Sequence, residues 1–247
     1  MIKTFISLCF FCCQAFGAYS GHFGQPCFLC PSFFSFPSGY VWDDVKNKLL
    51  VPTMDVPDSP TFNKLGLRSN FGLVSLCLLQ KFEIYTLLGK TTAHIDWEEG
   101  LPFDRETNTH FSWQAGIRGH LLTINPVCLG FSISYFNVPN LTEDSAISPF
   151  IDFDLSQPKS FKLKEWQATV GLFAPISIIV PYIGAQYQKS RFDLFTKNPS
   201  MRIKYKNQNN IGLVFGVCLN LGQRLFVSAE KRYYTEEAYS LSAAYVF

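Results

Sequence analysis

Ten separate stretches of this chain alternate, residue by residue, between large apolar and small or polar side chains. Only extended structure has a two-residue side-chain period, so the pattern restricts the chain to strands. In "HFSWQAGIRGHL", Phe111, Trp113, Ala115, Ile117 and Leu121 fall on one face and Ser112, Gln114, Gly116, Arg118 and His120 on the other. "VCLGFSISY" sets Val127, Leu129, Phe131, Ile133 and Tyr135 against Cys128, Gly130, Ser132 and Ser134. "WQATVGL" and "IGLVFGVCL" likewise turn Gln167, Thr169 and Gly171, then Gly212, Gly216 and Cys218, to the second face. Strands are expected at 35–46, 69–79, 82–93, 109–122, 127–137, 161–174, 178–190, 206–220, 224–233 and 236–247. Those at 35–46 and 69–79 do not sort cleanly, and their facing stays open.

The connections alternate too. "LQKF" (79–82), "TINP" (123–126), "APIS" (174–177) and "NLGQ" (220–223) are tight, each with a polar, Pro or Gly turn signal. Between them lie long polar segments at 47–68, 94–108, 138–160 and 191–205, then a short "YTEE" at 234–237. Short inner turns alternating with longer outer loops characterise outer-membrane barrels. The expected fold is all-β: a transmembrane antiparallel up-and-down β-barrel of about ten strands, with 8 or 12 as the neighbouring counts. An even count puts both ends of the barrel on the periplasmic side.

The two ends agree with that fold. "MIKTFISLCFFCCQAFGAYS" carries Lys3, an apolar run from Phe5 to Cys13, and Ala15 and Gly17 at the spacing of a cleavage site, so residues 1–17 are expected to be a signal peptide. Residues 18–34 would be a periplasmic segment and 35–247 the barrel. No stretch reaches about 18 uninterrupted apolar residues, so no spanning helix is expected. In "YSLSAAYVF", Tyr239, Leu241, Ala243, Tyr245 and Phe247 share a face; Leu241, Tyr245 and Phe247 are the expected signal for the barrel assembly machinery. Only 16% of residues are charged, against about 25% in an average soluble protein. A net charge of +2 gives no electrostatic surface for nucleic acid.

"FGQPCFLCPSF" with "GYVWDDV", then "FEIYTLLGKTTAHI", "FSWQAGIRGHL", "EWQATVGLF", "PYIGAQY" and "VSAEKRYYTEEAYSLSAAYVF" resemble the chlamydial major outer membrane porins, in the same order along nearly all of the mature chain. The chain is much shorter than the main porin. The resemblance implies an outer-membrane barrel of porin ancestry, in contact with outer-membrane lipids. Its "CFLC" pair, Cys27 and Cys30, resembles the paired cysteines near the start of those porins, which implies disulfide bonding to each other or to neighbouring envelope proteins. Unpaired structural thiols and metal or redox chemistry are the other readings of this pair. A zinc site would want a second pair or more His than His22, and a thioredoxin-like role would want a βαβ pattern. For Cys77, Cys128 and Cys218, inside strands, packing is expected. No cofactor motif is present.

Function divides into three classes. The first is a porin-like diffusion channel for small solutes. Its lining candidates are the inward Gln114, Arg118, His120, Gln167, Gln186, Glu230 and Arg232. Inward Gly116, Gly130, Gly171, Gly184, Gly212 and Gly216 would leave space. Inward Lys81, Arg118 and Arg232 stand against Glu83, Glu165 and Glu230, which predicts weak ion selectivity. His120 would tilt the preference toward anions when charged, below about pH 6.5. The second class is a non-conducting adhesin or structural barrel of a disulfide-linked envelope, with oligomers allowed. The third is a hydrolase: His110 and Ser112 share a face, as a nucleophile and its base do in outer-membrane phospholipases and lipid A deacylases, and His94 and Asp96 share another, as in omptin proteases. Any polar pair two residues apart on a strand looks like this, so rim and lumen polar groups explain both pairs, and the protein is not expected to be an enzyme.

Overall fold

The structure, a computed structural model, describes residues 34–53, 62–78, 82–97, 104–124, 126–142, 158–196, 202–222 and 224–247. The expected signal peptide, Cys27, Cys30 and Lys81 lie outside them.

Ten long strands follow one another: β1 (Pro37–Lys48), β2 (Phe62–Leu78), β3 (Phe82–Trp97), β4 (His110–Ile124), β5 (Val127–Leu141), β6 (Pro158–Phe173), β7 (Ile179–Thr196), β8 (Ile211–Leu221), β9 (Leu225–Tyr233) and β10 (Glu237–Val246). Each pairs antiparallel with its sequence neighbours, and β10 pairs with β1 over Glu237–Val246 and Pro37–Asn47, closing an up-and-down barrel. Closure satisfies the backbone groups that an open edge would leave bare in lipid. The β8–β9 turn places Gly222 at φ 76°, a left-handed conformation that glycine adopts without steric cost.

Parity along the strands holds. Trp166, Val170 and Leu172 of β6, Ile183 and Tyr187 of β7, and Tyr239, Leu241, Tyr245 and Phe247 at β10 and just beyond it face outward and are exposed. An aromatic band closes the outer edge of this apolar surface, with Trp113 and Tyr135 rings 5.5 Å apart and Tyr135 and Trp166 4.8 Å apart. Such girdles sit at membrane interfaces. The unsorted strands resolve as well: Val41, Asp43 and Val45 of β1 and Leu73, Ser75 and Cys77 of β2 are buried inside. They resisted sorting because their inward faces mix aliphatic with polar groups.

Several strands run further outward than expected. β2 begins at Phe62 rather than 69, and β3, β5 and β7 end at Trp97, Leu141 and Thr196 rather than 93, 137 and 190. These extensions carry charged and polar residues outside, which read as loop, but bury Leu65, Leu67, Ile95, Val138, Leu141 and Leu194 inside. The expected strand at 206–220 is two pieces, Arg202–Asn207 and β8, both paired with β7.

Beyond Lys48, Leu50–Pro52 pairs directly with Arg202–Asn207, passing over the β9–β10 connection at Tyr234–Glu236. The β9–β10 hairpin therefore stops short, and eight strands rather than ten surround the outer part of the barrel. That part is filled. Phe161 stacks on Phe192 at 5.4 Å and Phe192 meets Tyr205 at 6.1 Å, all buried. Eight-stranded barrels have interiors that side chains just fill.

Candidate functional site: the lumen

Rows of paired residues build the inner wall beneath that apolar layer. Glu83, Arg118, Ser132, Thr169, Gln186 and Gly212 follow one another across β3 to β8. Ser134, Gln167 and Gln188 form the next row outward, and Phe136, Glu165 and Ser190 the next. All seven expected lining residues face inward, but they do not form one site.

Glu230 and Arg232 lie in a network with residues that sequence reasoning missed. Arg232 donates from Nε to Glu236 Oε1 (2.8 Å), from Nη2 to Asp43 Oδ1 (2.6 Å), and from Nη1 to Glu230 Oε1 (3.1 Å) and Ser240 Oγ (2.6 Å). Tyr182 donates its hydroxyl to Glu230 Oε2 (2.9 Å). Glu236 also takes Lys48 Nζ at 2.9 Å and Gln188 Nε2 at 3.1 Å, so it joins both cations. Lys48 then reaches Glu165, which also accepts from Ser190. Lys48 follows the last β1–β10 pair, where the strands run β1, Arg202–Asn207, β7, β6; three steps separate it from Glu165 around this smaller ring, so the pair spans the lumen rather than one stretch of wall. Lys48, Asp43 and Glu236 escaped notice for local reasons. The β1–β2 register shifts between Val45 and Lys48, which resets parity, and Glu236 sits in a turn that reads as a surface loop. A balance of inward carboxylates against inward cations would have called for a further cation.

Arg118 stands apart. It grips Glu83 in a two-bond fork, Nε to Oε2 at 2.6 Å and Nη2 to Oε1 at 2.7 Å, with its guanidinium carbon 5.1 Å from the Tyr85 ring centre. Bidentate pairing is the strongest form of this contact. His120 is near Thr123 Oγ1 (2.7 Å) and the Phe173 ring (6.0 Å), toward the periplasmic end. Gln186 donates to Gln188 at 3.3 Å. Gln167 (both amide atoms), Thr169 Oγ1 and Gln186 Oε1 are buried without a hydrogen-bond partner among the described residues.

The space expected above the inward glycines is taken at three of them. A Cβ on Gly116 would overlap the Tyr85 ring, one on Gly216 the Tyr182 ring, and one on Gly212 the Thr235 side chain. Each tyrosine covers the glycine paired opposite it and sends its hydroxyl into the lumen.

Of the two pairs in the hydrolase reading, His110 and Ser112 engage different partners. Ser112 bonds Thr91 Oγ1 at 2.7 Å, and Thr91 bonds Ser69 at 2.8 Å, while His110 Nε2 takes the Thr142 backbone N–H at 2.9 Å. Among the cysteines, Cys128 and Cys218 are buried, as packing predicts. Cys77 departs from expectation: it is disulfide-bonded, to a partner outside the described residues. Among the described residues, no group of three or more His, Cys, Asp or Glu could hold a metal ion.

A closed antiparallel barrel with an aromatic-edged apolar exterior and a polar interior defines an outer-membrane β-barrel protein. No family model matches the sequence. The chain is similar to major outer membrane porins: 22% identical over 177 residues to one from Chlamydia pneumoniae (51% of this chain, 46% of that one), and 20% over 211 residues to the serovar D porin of Chlamydia trachomatis (62% and 54%). It spans about half the length of these curated relatives. Solved structures with similar folds include the outer membrane protein OprG from Pseudomonas aeruginosa (TM-score 0.39, 10% identity, 87% of this chain and 95% of that one). Another is the translocator domain of autotransporter NalP from Neisseria meningitidis (TM-score 0.42, 8% identity, 87% and 88%).

Proposed function

We propose that the protein is a porin-like diffusion channel for small solutes, narrow and weakly ion-selective, closed in this conformation by the Lys48 bridge and the outer apolar layer. The observation that carries this reading is the polar wall on β5 to β7. Its buried amides and hydroxyls have no partner among the described residues; such groups are costly in a dry core and are ordinarily satisfied by water. The inner wall also holds both signs of charge. Asp43, Glu83, Glu165, Glu230 and Glu236 stand against Lys48, Arg118 and Arg232. Among the described residues, the excess of two carboxylates supports a mild preference for cations over anions. A non-enzymatic role fits the separate engagement of His110 and Ser112.

A non-conducting structural barrel is the second reading, favoured by the side-chain pair that spans the lumen. Planar-bilayer recording separates the two, using wild type and Phe192→Ala, which opens the outer layer. The channel reading expects small, brief conductance from wild type and larger, longer openings from the variant. Silence from both, with both correctly folded, supports the structural barrel.

A further inference from the structure

The outward face of β6, β7 and Arg202–Asn207, beyond the aromatic band, is crowded with cations. Lys164, Arg191 and Lys206 are paired side by side across the three strands. In the next row outward come Lys162, Asp193 and Lys204. Arg202 stands beyond them, its guanidinium 5.4 Å from the Phe195 ring centre, where Lys162 Nζ also sits at 5.2 Å. Lys189, paired with Trp166, lies at the level of the girdle.

Like charges directly opposite on neighbouring strands destabilise a sheet, because paired residues stand only about 5 Å apart. The patch supplies one anion of its own. Asp193 accepts from Arg202 (2.6 Å) and Arg191 (3.3 Å). Burial opposes ionisation of Asp193, but these two partners outweigh it and hold the carboxyl below its usual range. Asp193 is also the strand partner of Lys162 and Lys204, so one carboxylate serves four cations. Lys162, Lys164, Lys189 and Lys206 are exposed, and their strand partners carry no other carboxylate. The opposite side of the rim differs. There Asp44 is paired with Arg68 and bonds Lys46 at 2.6 Å, and Asp96 is paired with Lys64. Among the described residues the excess of outward cations is thus greatest in one sector, over the Trp166 and Tyr187 girdle, at the depth where outer-leaflet headgroups begin.

We infer that this sector binds the phosphates of a phosphorylated saccharolipid of the outer leaflet. Lys164, Arg191 and Lys206 would hold phosphate, and Trp166, Tyr187 and the β6–β7 apolar surface would meet the acyl chains. Phosphate removes the like-charge cost of the row, so lipid binding and strand pairing support each other here.

Native mass spectrometry of the purified barrel with bis-phosphorylated lipid A, dephosphorylated lipid A, inorganic phosphate and heparin tests this, on three proteins. These are wild type, the triple variant Lys164→Gln/Arg191→Gln/Lys206→Gln, and the rim control Lys64→Gln/Arg68→Gln/Lys90→Gln. At about a fivefold loss per removed cation, the first triple variant should bind lipid A about a hundred-fold more weakly, and the control within about threefold of wild type. Heat-modifiable gel mobility checks folding; if the triple variant fails it, Lys206→Gln alone should lose about fivefold. Equal loss in both triple variants, or equal binding of dephosphorylated lipid A, overturns the assignment. Millimolar phosphate displacing the lipid would mean a free-anion site. Heparin retention that the triple variant loses, with lipid binding intact, would mean a sulfated polysaccharide. None of these readouts depends on conduction.

Discussion

Substituting Lys48 tests whether the lumen is bridged. Lys48→Met keeps the length of the side chain and removes its charge. Glu236 would still hold Arg232 at 2.8 Å and Gln188 at 3.1 Å, whereas Glu165 would lose the Lys48 ammonium and keep the Ser190 hydroxyl. Breaking a buried pair from one side costs about 3–5 kcal/mol, because the remaining charge is stranded. Glu165→Met should cost less, about 1.5–3 kcal/mol, since Lys48 retains Glu236 at 2.9 Å. In the double variant two apolar side chains meet where the pair stood, a replacement that is often neutral or favourable. Urea unfolding and refolding of the barrel in lipid vesicles, with unchanged m-values, gives the three free energies. Their cycle should return a coupling of at least about 2 kcal/mol, the size found for contacting groups. Coupling below about 0.5 kcal/mol, the level of distant sites, would refute contact across the lumen and with it the closed bridge.

Arg118→Ala should cost about 3–5 kcal/mol in the same assay by stranding Glu83, whereas Arg118→Lys should lose only about 1–2 kcal/mol by forfeiting one arm of the fork. Gly216→Ala should cost about 1–3 kcal/mol by displacing the Tyr182 ring, and urea midpoints within error of wild type would show that the ring moves freely.

Much of the barrel was legible because one rule, period-two alternation, decides both strand existence and facing. It placed Gln114, Arg118, His120, Gln167, Gln186, Glu230 and Arg232 inside without reference to their partners. It failed where the rule itself is interrupted. A bulge lies before Lys48, a turn residue, Glu236, points inward, and the outward extensions of β2, β3, β5 and β7 reverse the usual signs, apolar within and charged without. Pairing across the barrel is a tertiary fact that no local window contains. Alternation says that Arg118 and Arg232 face the lumen, yet cannot say that the first stays on the wall with Glu83 while the second joins a network reaching β6. The glycine reading erred similarly, since a missing side chain on one strand invites a large one from the next, as Tyr85 and Tyr182 show.

Strand number links the closed lumen to the porin likeness. Barrel diameter grows roughly in proportion to strand number, so ten strands enclose only about two-fifths of the cross-section that sixteen do. Side chains do not shrink with the ring. A Lys and a Glu that would line opposite walls of a wide pore can touch across a narrow one, and Lys48 and Glu165 do. Narrowing to eight strands beyond Lys48 carries this further, and there the inward residues are Phe161, Phe192 and Tyr205 rather than amides and charges. Arg118, Arg232 and their carboxylates lie where ten strands surround the lumen, and Phe161, Phe192 and Tyr205 where eight do. Water can repay buried amides only where the ring leaves it room, and a ring that side chains fill is more stable with apolar ones.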